Sequence, residues 1–160
     1  GGNLAAATAL RARDTGAPAI ALQVLLYPVL DHDFATPSYT RLREGYLLGR
    51  AEMEWFWHQY APDVVDRDNP YASPLRTASV DGVAPAIILL PEFDPLFDEG
   101  LAYAERLSAA GVPVVASMWK GMTHGFISFP AVFDTADAAV LWTGDAISSA
   151  LRTIPALDAT

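Results

Sequence analysis

The sequence of 160 residues contains no cysteine, so it can form neither a disulfide nor a metal site built on thiolates. Basic side chains are scarce as well: 10 Lys and Arg stand against 19 Asp and Glu, which gives a formal net charge of −9. A surface of that sign repels the phosphates of nucleic acid. No apolar run approaches the roughly 20 residues that are needed to cross a bilayer. We therefore expect neither a nucleic-acid partner nor a membrane span.

The composition is otherwise that of a folded domain, with 52% hydrophobic and 18% charged residues. Three apolar runs are nearly continuous, at residues 19–29, 85–91 and 112–119. Continuous runs are typical of parallel strands that are covered on both faces. Helical patterns lie around them, in "NLAAATALRAR" near the start, at 97–107, and at 131–152, where Phe133, Val140, Ile147 and Leu151 share one face. The sequence predicts an α/β fold with a mostly parallel sheet flanked by helices.

The connection between the first two strands is unusually long. It spans about 55 residues, far more than one crossover helix requires, so we expect a helical insertion at about 31–80. Within it, Met53, Phe56, Trp57 and Tyr60 follow helical spacing and form one apolar face. Core packing is the favoured interpretation of that face. Its alternative is a cover over an apolar ligand pocket.

An acid and a base follow two neighbouring strands. Asp94 comes after the second strand and His124 after the third, in "GMTHGF". Reactive groups of parallel sheets gather where loops leave the carboxyl ends of the strands, so we expect the two side chains to meet. An aspartate that orients a histidine and stabilises its protonated form is the acid–base half of a nucleophilic triad.

Structural interpretations exist for the same residues. Asp94 precedes Pro95, and together they could simply begin a helix. His124 on its own could be a hydrogen-bonded structural histidine. Asp98 and Glu99 fall in the first helical turn, where carboxylates suit the helix dipole, and we interpret both as structural. The position of Asp94 and His124 at matching strand ends favours a joint chemical role.

The remaining histidines carry no assignment. His32 lies between Asp31 and Asp33, a cluster that could suggest a metal. Consecutive side chains point in different directions, however, and no spaced ligand joins them, so we expect no metal site. His58 lies in the helical pattern of the insertion and is assigned no role.

Several blocks together resemble one family. They are "GGNLAAATALRAR" at residue 1, "LLYPVLD", "NPYASPL", "EFDPLFDEG", "YAERLSAAGVPV" and "GMTHGF", in this order. From residue 1 to about 152 the chain resembles the C-terminal half of the hormone-sensitive-lipase-like α/β-hydrolases, a group that includes bacterial esterases. Pro91 departs from the family pattern, and we expect it to end the second strand early.

The resemblance implies a carboxylic ester hydrolase without a cofactor, acting on short to medium acyl esters as its small-molecule partners. Asp94 would take the place of the triad acid and His124 that of the general base. Leu96 and Phe126, beside them, would line the substrate pocket, although Phe126 could equally be core. The nucleophilic serine would lie two residues before Gly1, with the oxyanion loop further upstream.

Further expectations about the whole protein follow from that assignment. Residues 1–160 would be the C-terminal portion of a single domain and would be inactive alone. Assembly into a homo-oligomer is left open, and the cytoplasm is the expected compartment. Plant hormone receptors share the fold but have lost the catalytic histidine, so a small-molecule-binding protein is the alternative. The presence of His124 favours an enzyme.

Overall fold

The computed structural model describes residues 1–153 and contains a three-stranded parallel sheet in the order β1-β2-β3. None of the helices in that range is both long enough and apolar enough to span a membrane. In chain order the elements are α1 (Gly2–Thr15), β1 (Gln23–Leu26), α2 (Pro37–Arg41), α3 (Arg50–Tyr60), α4 (Val64–Arg67), a 3₁₀ turn (Pro74–Arg76), β2 (Ala86–Phe93), α5 (Phe97–Ala109), β3 (Val114–Thr123), a 3₁₀ turn (Phe126–Ser128) and α6 (Thr135–Thr153).

The predicted coverage of both strand faces holds only for the central strand. The first six residues of β2 are buried without interruption, and the strand continues through Pro91 to Phe93, so the expectation that Pro91 ends it early is wrong. Pro91 has no N–H to lose from the ladder, and a local irregularity accommodates it. β3 is an edge strand, and it leaves Val115 51% and Met118 47% exposed.

That irregularity sets the register at the carboxyl ends of β2 and β3. Pro91 pairs with Trp119, and the next pair is Phe93 with Thr123. One residue of β2, Glu92, therefore lies opposite three of β3, residues 120–122, which makes a bulge in the edge strand. Because of it, the residues that follow Phe93 and Thr123 leave the sheet side by side.

The helices cover the sheet much as predicted, with one change of face. α1 and α5 bury apolar residues against the strands in one cluster with Leu25, Ile88 and Leu107. In α6 the buried positions are Ala136 and Ala139, whereas Val140 is 53% exposed. The predicted apolar face of this helix was therefore wrong. Small side chains face the sheet there because Leu89 and Phe126 already fill the space between the helix and the sheet.

The segment between β1 and β2 is helical, as expected, and carries α2, α3 and α4. On α3, Met53 and Trp57 are buried, but Phe56 is 48% and Tyr60 51% exposed. The same four side chains line an open pocket of about 230 Å³ that also includes Gly1 and Leu4. Core packing thus holds for Met53 and Trp57, and a role of this face in covering a ligand stays a prediction.

Two tryptophans on α3 allow a matched test of this packing. Trp57 is 2% exposed and packs in a cluster with Tyr39, Met53 and Leu96, whereas Trp55 is 58% exposed. We expect Trp57→Ala to lower the free energy of unfolding by about 3–5 kcal/mol, because it leaves a large cavity. Trp55→Ala should change it by less than about 0.5 kcal/mol. Urea denaturation of both variants checks this, and equal losses would contradict the assigned helix face.

Candidate active site

Asp94 is fully buried immediately after β2, and its two carboxylate oxygens have different partners. Oδ1 accepts the Leu96 N–H at 2.9 Å, which turns the chain into α5. Oδ2 lies 2.8 Å from His124 Nδ1. The helix-starting interpretation and the chemical interpretation of this residue are therefore compatible, because each uses a separate oxygen.

His124 follows Thr123 at the end of β3, and its side chain is 27% exposed. Gly125 comes next, with φ of 74°, a left-handed conformation that glycine adopts without strain. The turn leads into Phe126, which is fully buried and anchors the loop. Since the Asp94 carboxylate can only accept, Nδ1 carries the ring proton. Nε2 is then left as the basic nitrogen.

The first residues of the chain lie on the other side of His124. Gly1, Gly2 and Asn3 line an open pocket of about 400 Å³ together with Tyr27 and His124. The Asn3 amide donates to the carbonyls of Val29 at 2.9 Å and Ala72 at 2.7 Å, which fixes the start of α1 beside the loop that follows β1. A group presented just before α1 would therefore enter this pocket near the imidazole.

Comparison with known proteins identifies the family of the chain. Residues 1–128 match the family described as alpha/beta hydrolase fold. The chain belongs to the α/β-hydrolase family. The family named from the sequence blocks is thereby confirmed, and so is the α/β fold class.

Several of the similar proteins are named as esterases or ester hydrolases. The chain is 40% identical over 139 residues to the ethyl acetate hydrolase of Pseudomonas putida, covering 87% of the chain and 43% of that protein. It is 40% identical over 154 residues to the carboxylic ester hydrolase LipN of Mycobacterium tuberculosis, covering 93% of the chain and 40% of LipN. The structure of the ester-hydrolase EH1AB1 from the metagenome of Lake Arreo superposes with a TM-score of 0.90 at 35% identity, covering 96% and 49% of the two chains. The chain thus spans less than half the length of these relatives.

The two predicted pocket walls of this α/β-hydrolase lie in its core. Leu96 is 1% exposed and packs with Tyr39 and Trp57, while Phe126 is fully buried against Leu89. Neither lines the pocket beside His124. Leu96 acts there through its backbone N–H, which holds Asp94. For Phe126 the structure favours the alternative of a core residue.

Tyr27 is a site residue that was not predicted from the sequence, and its ring centroid lies 4.6 Å from that of His124. Burial and the charge of Asp94 raise the pKa of its phenol, while hydrogen bonding with Ser128 opposes the shift. No residue pattern marks this position, because it depends on the positive φ of Tyr27. The one available signal is its place in the block "LLYPVLD".

The two carboxylates in the first turn of α5 are structural, but not through the helix dipole alone. Asp98 Oδ2 accepts the Ser38 N–H at 2.7 Å and joins α2 to α5. Glu99 is 2% exposed, and its Oε1 accepts the Leu30 N–H at 2.7 Å. Its burial was not expected from the sequence. It ties the loop after β1 to the helix that follows Asp94.

Burial raises the pKa of Glu99 well above the usual value. Hydrogen bonds from the N–H groups of Leu30 and Asp31 oppose this shift of the pKa. The negative charges of Asp31 and Asp94 add to it. The folded state therefore holds a proton that the unfolded chain has already lost. Stability must fall as pH rises from the usual glutamate pKa through the raised one.

We expect Glu99→Gln to remove this pH dependence while keeping an acceptor for the Leu30 N–H. As the pH rises above the usual glutamate pKa, the Tm of the parent should fall relative to that of the variant. Calorimetry over a series of pH values makes the comparison. Glu105→Gln, an exposed carboxylate on the same helix, is the control and should follow the parent. If the Tm of Glu99→Gln changes with pH in the same way as that of the parent, Glu99 does not titrate in this way.

The other histidines lie outside the site. His32 Nε2 contacts Asp68 Oδ1 at 2.9 Å, and Arg76 also binds that carboxylate at 2.7 Å. His58 is exposed at the end of α3. Among residues 1–153, no three histidine, aspartate or glutamate side chains are grouped closely enough to hold a metal ion.

Proposed function

We propose that this chain supplies the acid and the base of a carboxylic ester hydrolase, with Asp94 as the acid and His124 as the general base. The observation that carries the proposal is the 2.8 Å contact between the buried Asp94 carboxylate and His124 Nδ1, at matched ends of neighbouring strands. A buried carboxylate on Nδ1 fixes the tautomer and stabilises the imidazolium that forms during acyl transfer.

The nucleophile of the proposal is a serine two residues before Gly1. In α/β-hydrolases the chain order is serine, acid, histidine, with the serine on a turn that enters a helix. Here the order of acid and histidine fits, and α1 begins at Gly2 in the pocket that His124 lines. In the proposal, residues 1–160 are the C-terminal portion of one domain. The helical insertion at residues 31–80 then lies on the side of the domain where a lid would cover the substrate pocket. The nucleophile turn and the oxyanion loop belong to the preceding portion.

The chemistry follows from these positions. The serine oxygen attacks the acyl carbon while its proton passes to His124 Nε2, and Asp94 holds the imidazolium through Nδ1. The bond from the acyl carbon to the alkoxy oxygen then breaks, and Nε2 returns the proton to the leaving alcohol. Water next gives a proton to Nε2 and attacks the acyl carbon of the acyl-enzyme. The bond from that carbon to the serine oxygen then breaks, Nε2 returns the proton to the serine oxygen, and the carboxylic acid is released.

The substrate class of the proposal is short to medium acyl esters. The apolar pocket of about 230 Å³ under Phe56 and Tyr60 reaches Gly1, so an acyl or alcohol group of modest size would fit beside the nucleophile. One relative is named for hydrolysis of ethyl acetate. The structure of EH1AB1 holds a phosphonate derivative, a class of compound that resembles the tetrahedral intermediate of ester hydrolysis.

The test is to express the gene from its own start codon and to measure hydrolysis of p-nitrophenyl esters of increasing acyl length. We expect turnover with the shorter esters and none from residues 1–160 alone. Binding of such esters without turnover by the complete protein would favour the receptor-like alternative. Turnover by residues 1–160 alone would contradict a nucleophile outside this range.

A further inference from the structure

Tyr27 is held in a strained backbone conformation. Among residues 1–153 it is the one non-glycine residue with positive φ, at 39°. It also precedes Pro28, and a following proline favours extended backbone. Strain of this kind persists only where the surroundings fix it, and it concentrates at functional sites.

Contacts on both sides of Tyr27 impose that conformation. Its N–H donates to the Leu89 carbonyl at 2.8 Å and so extends the pairing of β1 with β2 by one residue. After it, the chain runs against the start of α1: a Cβ on Gly2 would lie 2.8 Å from Pro28 Cα and 3.3 Å from the Leu26 carbonyl oxygen. The backbone is therefore confined between the sheet and α1, and the turn at Tyr27 directs its side chain toward β3.

The result of this turn is the contact with His124. The two ring centroids lie 4.6 Å apart, with an angle of 58° between the ring planes. The hydrogen bond to Asp94 fixes the imidazole at Nδ1 only, and a ring held at one atom can still swing. The Tyr27 ring lies against the imidazole and limits such movement on that side. An aromatic ring also attracts a cation, which favours the imidazolium over the neutral ring.

We propose that Tyr27 is a positioning residue, which holds the His124 imidazole in the orientation that Asp94 alone does not fix. The proposal rests on the function proposed above, since it assigns a second support to the same base. The ring carries the role, and the hydroxyl group is dispensable. The strained turn is what brings the ring to His124.

Kinetics of the complete gene product form the first test. Tyr27→Gly removes the ring and at the same time relieves the positive φ, which offsets part of the packing lost with the ring, so we expect the fold to be retained. We expect it to lower kcat for p-nitrophenyl acetate by about tenfold to a hundredfold, with KM unchanged within about twofold. Tyr27→Phe should restore kcat to within about twofold of the parent. Tyr71→Ala, an exposed tyrosine that bonds to Asp14, is the control and should behave as the parent.

Each departure from these kinetics overturns the proposal. An unchanged kcat in Tyr27→Gly means that the ring does not support the base. A raised KM at constant kcat means that the ring binds substrate instead. A loss in Tyr27→Phe equal to that in Tyr27→Gly assigns the effect to the hydroxyl group.

Proton NMR of the same variants separates this proposal from the proposed function, because it needs no turnover. The His124 Nδ1–H that bonds to Asp94 should give a resolved downfield signal in the parent, in Tyr27→Phe and in Tyr71→Ala. In Tyr27→Gly we expect the signal to broaden or vanish through exchange with water. A signal that stays sharp in Tyr27→Gly overturns the positioning role. A parent that shows the expected NMR pattern but no esterase activity refutes the proposed function alone.

Discussion

In the complete gene product, His124→Ala is expected to lower kcat for short p-nitrophenyl esters by about 10⁶, with KM changed far less. The proposed serine can lose its proton only to Nε2 of this histidine, and no other imidazole within residues 1–153 contacts Asp94. The residual rate would come from substrate binding and from the oxyanion donors. Steady-state kinetics over several ester concentrations give both constants.

His58→Ala is the matched control for that measurement. His58 is exposed at the end of α3 and has no assigned role, so its variant should keep the kcat of the parent. If His124→Ala retains more than about a hundredth of the parental kcat, another group acts as the base. A full loss of kcat in both variants would indicate that the substitutions disrupt the fold and not a catalytic group.

Asp94→Asn is expected to lower kcat by about 10⁴. The asparagine carbonyl can still accept the Leu96 N–H, so α5 should begin as before. Its amide, however, would donate toward His124 Nδ1 and move the ring proton to Nε2. The imidazole would then be in the wrong tautomer to accept a proton from serine.

Asp98→Asn is the control for this second prediction, because Asp98 lies in the first turn of the same helix and binds Ser38 without contacting His124. It should keep kcat within about threefold of the parent. A loss below tenfold in Asp94→Asn would leave this residue with its helix-starting role alone. The pH profile adds a further check, since a wrong tautomer lowers the rate at all pH values.

Much of this site could be predicted from the sequence because its elements are local. The apolar runs before Asp94 and His124 marked two strands, and the connection rules of parallel sheets place their carboxyl ends at one edge. The structure does bring the two side chains together at that edge. Their catalytic roles stay a prediction until the variants are measured.

What the sequence did not reveal depends on register and on tertiary packing. The two additional residues of β3 opposite Pro91 and Phe93 align His124 with Asp94, yet apolar patterning does not register a bulge. The burial of Glu99 depends on the loop after β1, which reaches α5 from 69 positions away. The positive φ of Tyr27 depends on α1 pressing against Pro28. Each of these features arises between elements that are distant in the chain.

The same distinction explains why Leu96 and Phe126 were expected to line the pocket. Adjacency in sequence to Asp94 and His124 suggested it, but the turns at both residues direct the neighbouring side chains into the core. The aromatic ring beside His124 comes instead from Tyr27, 97 residues earlier in the chain. Shared position at a sheet edge is thus a better guide to the site than proximity along the chain.

In the proposed site, a serine two residues before Gly1 works with His124 and Asp94. Labelling the complete gene product with a fluorophosphonate, followed by peptide mass spectrometry, would identify that nucleophile. We expect one adduct, on that serine, which is lost when His124→Ala is labelled under the same conditions. An adduct on a serine within residues 1–160, or active protein that takes up no label, would contradict it.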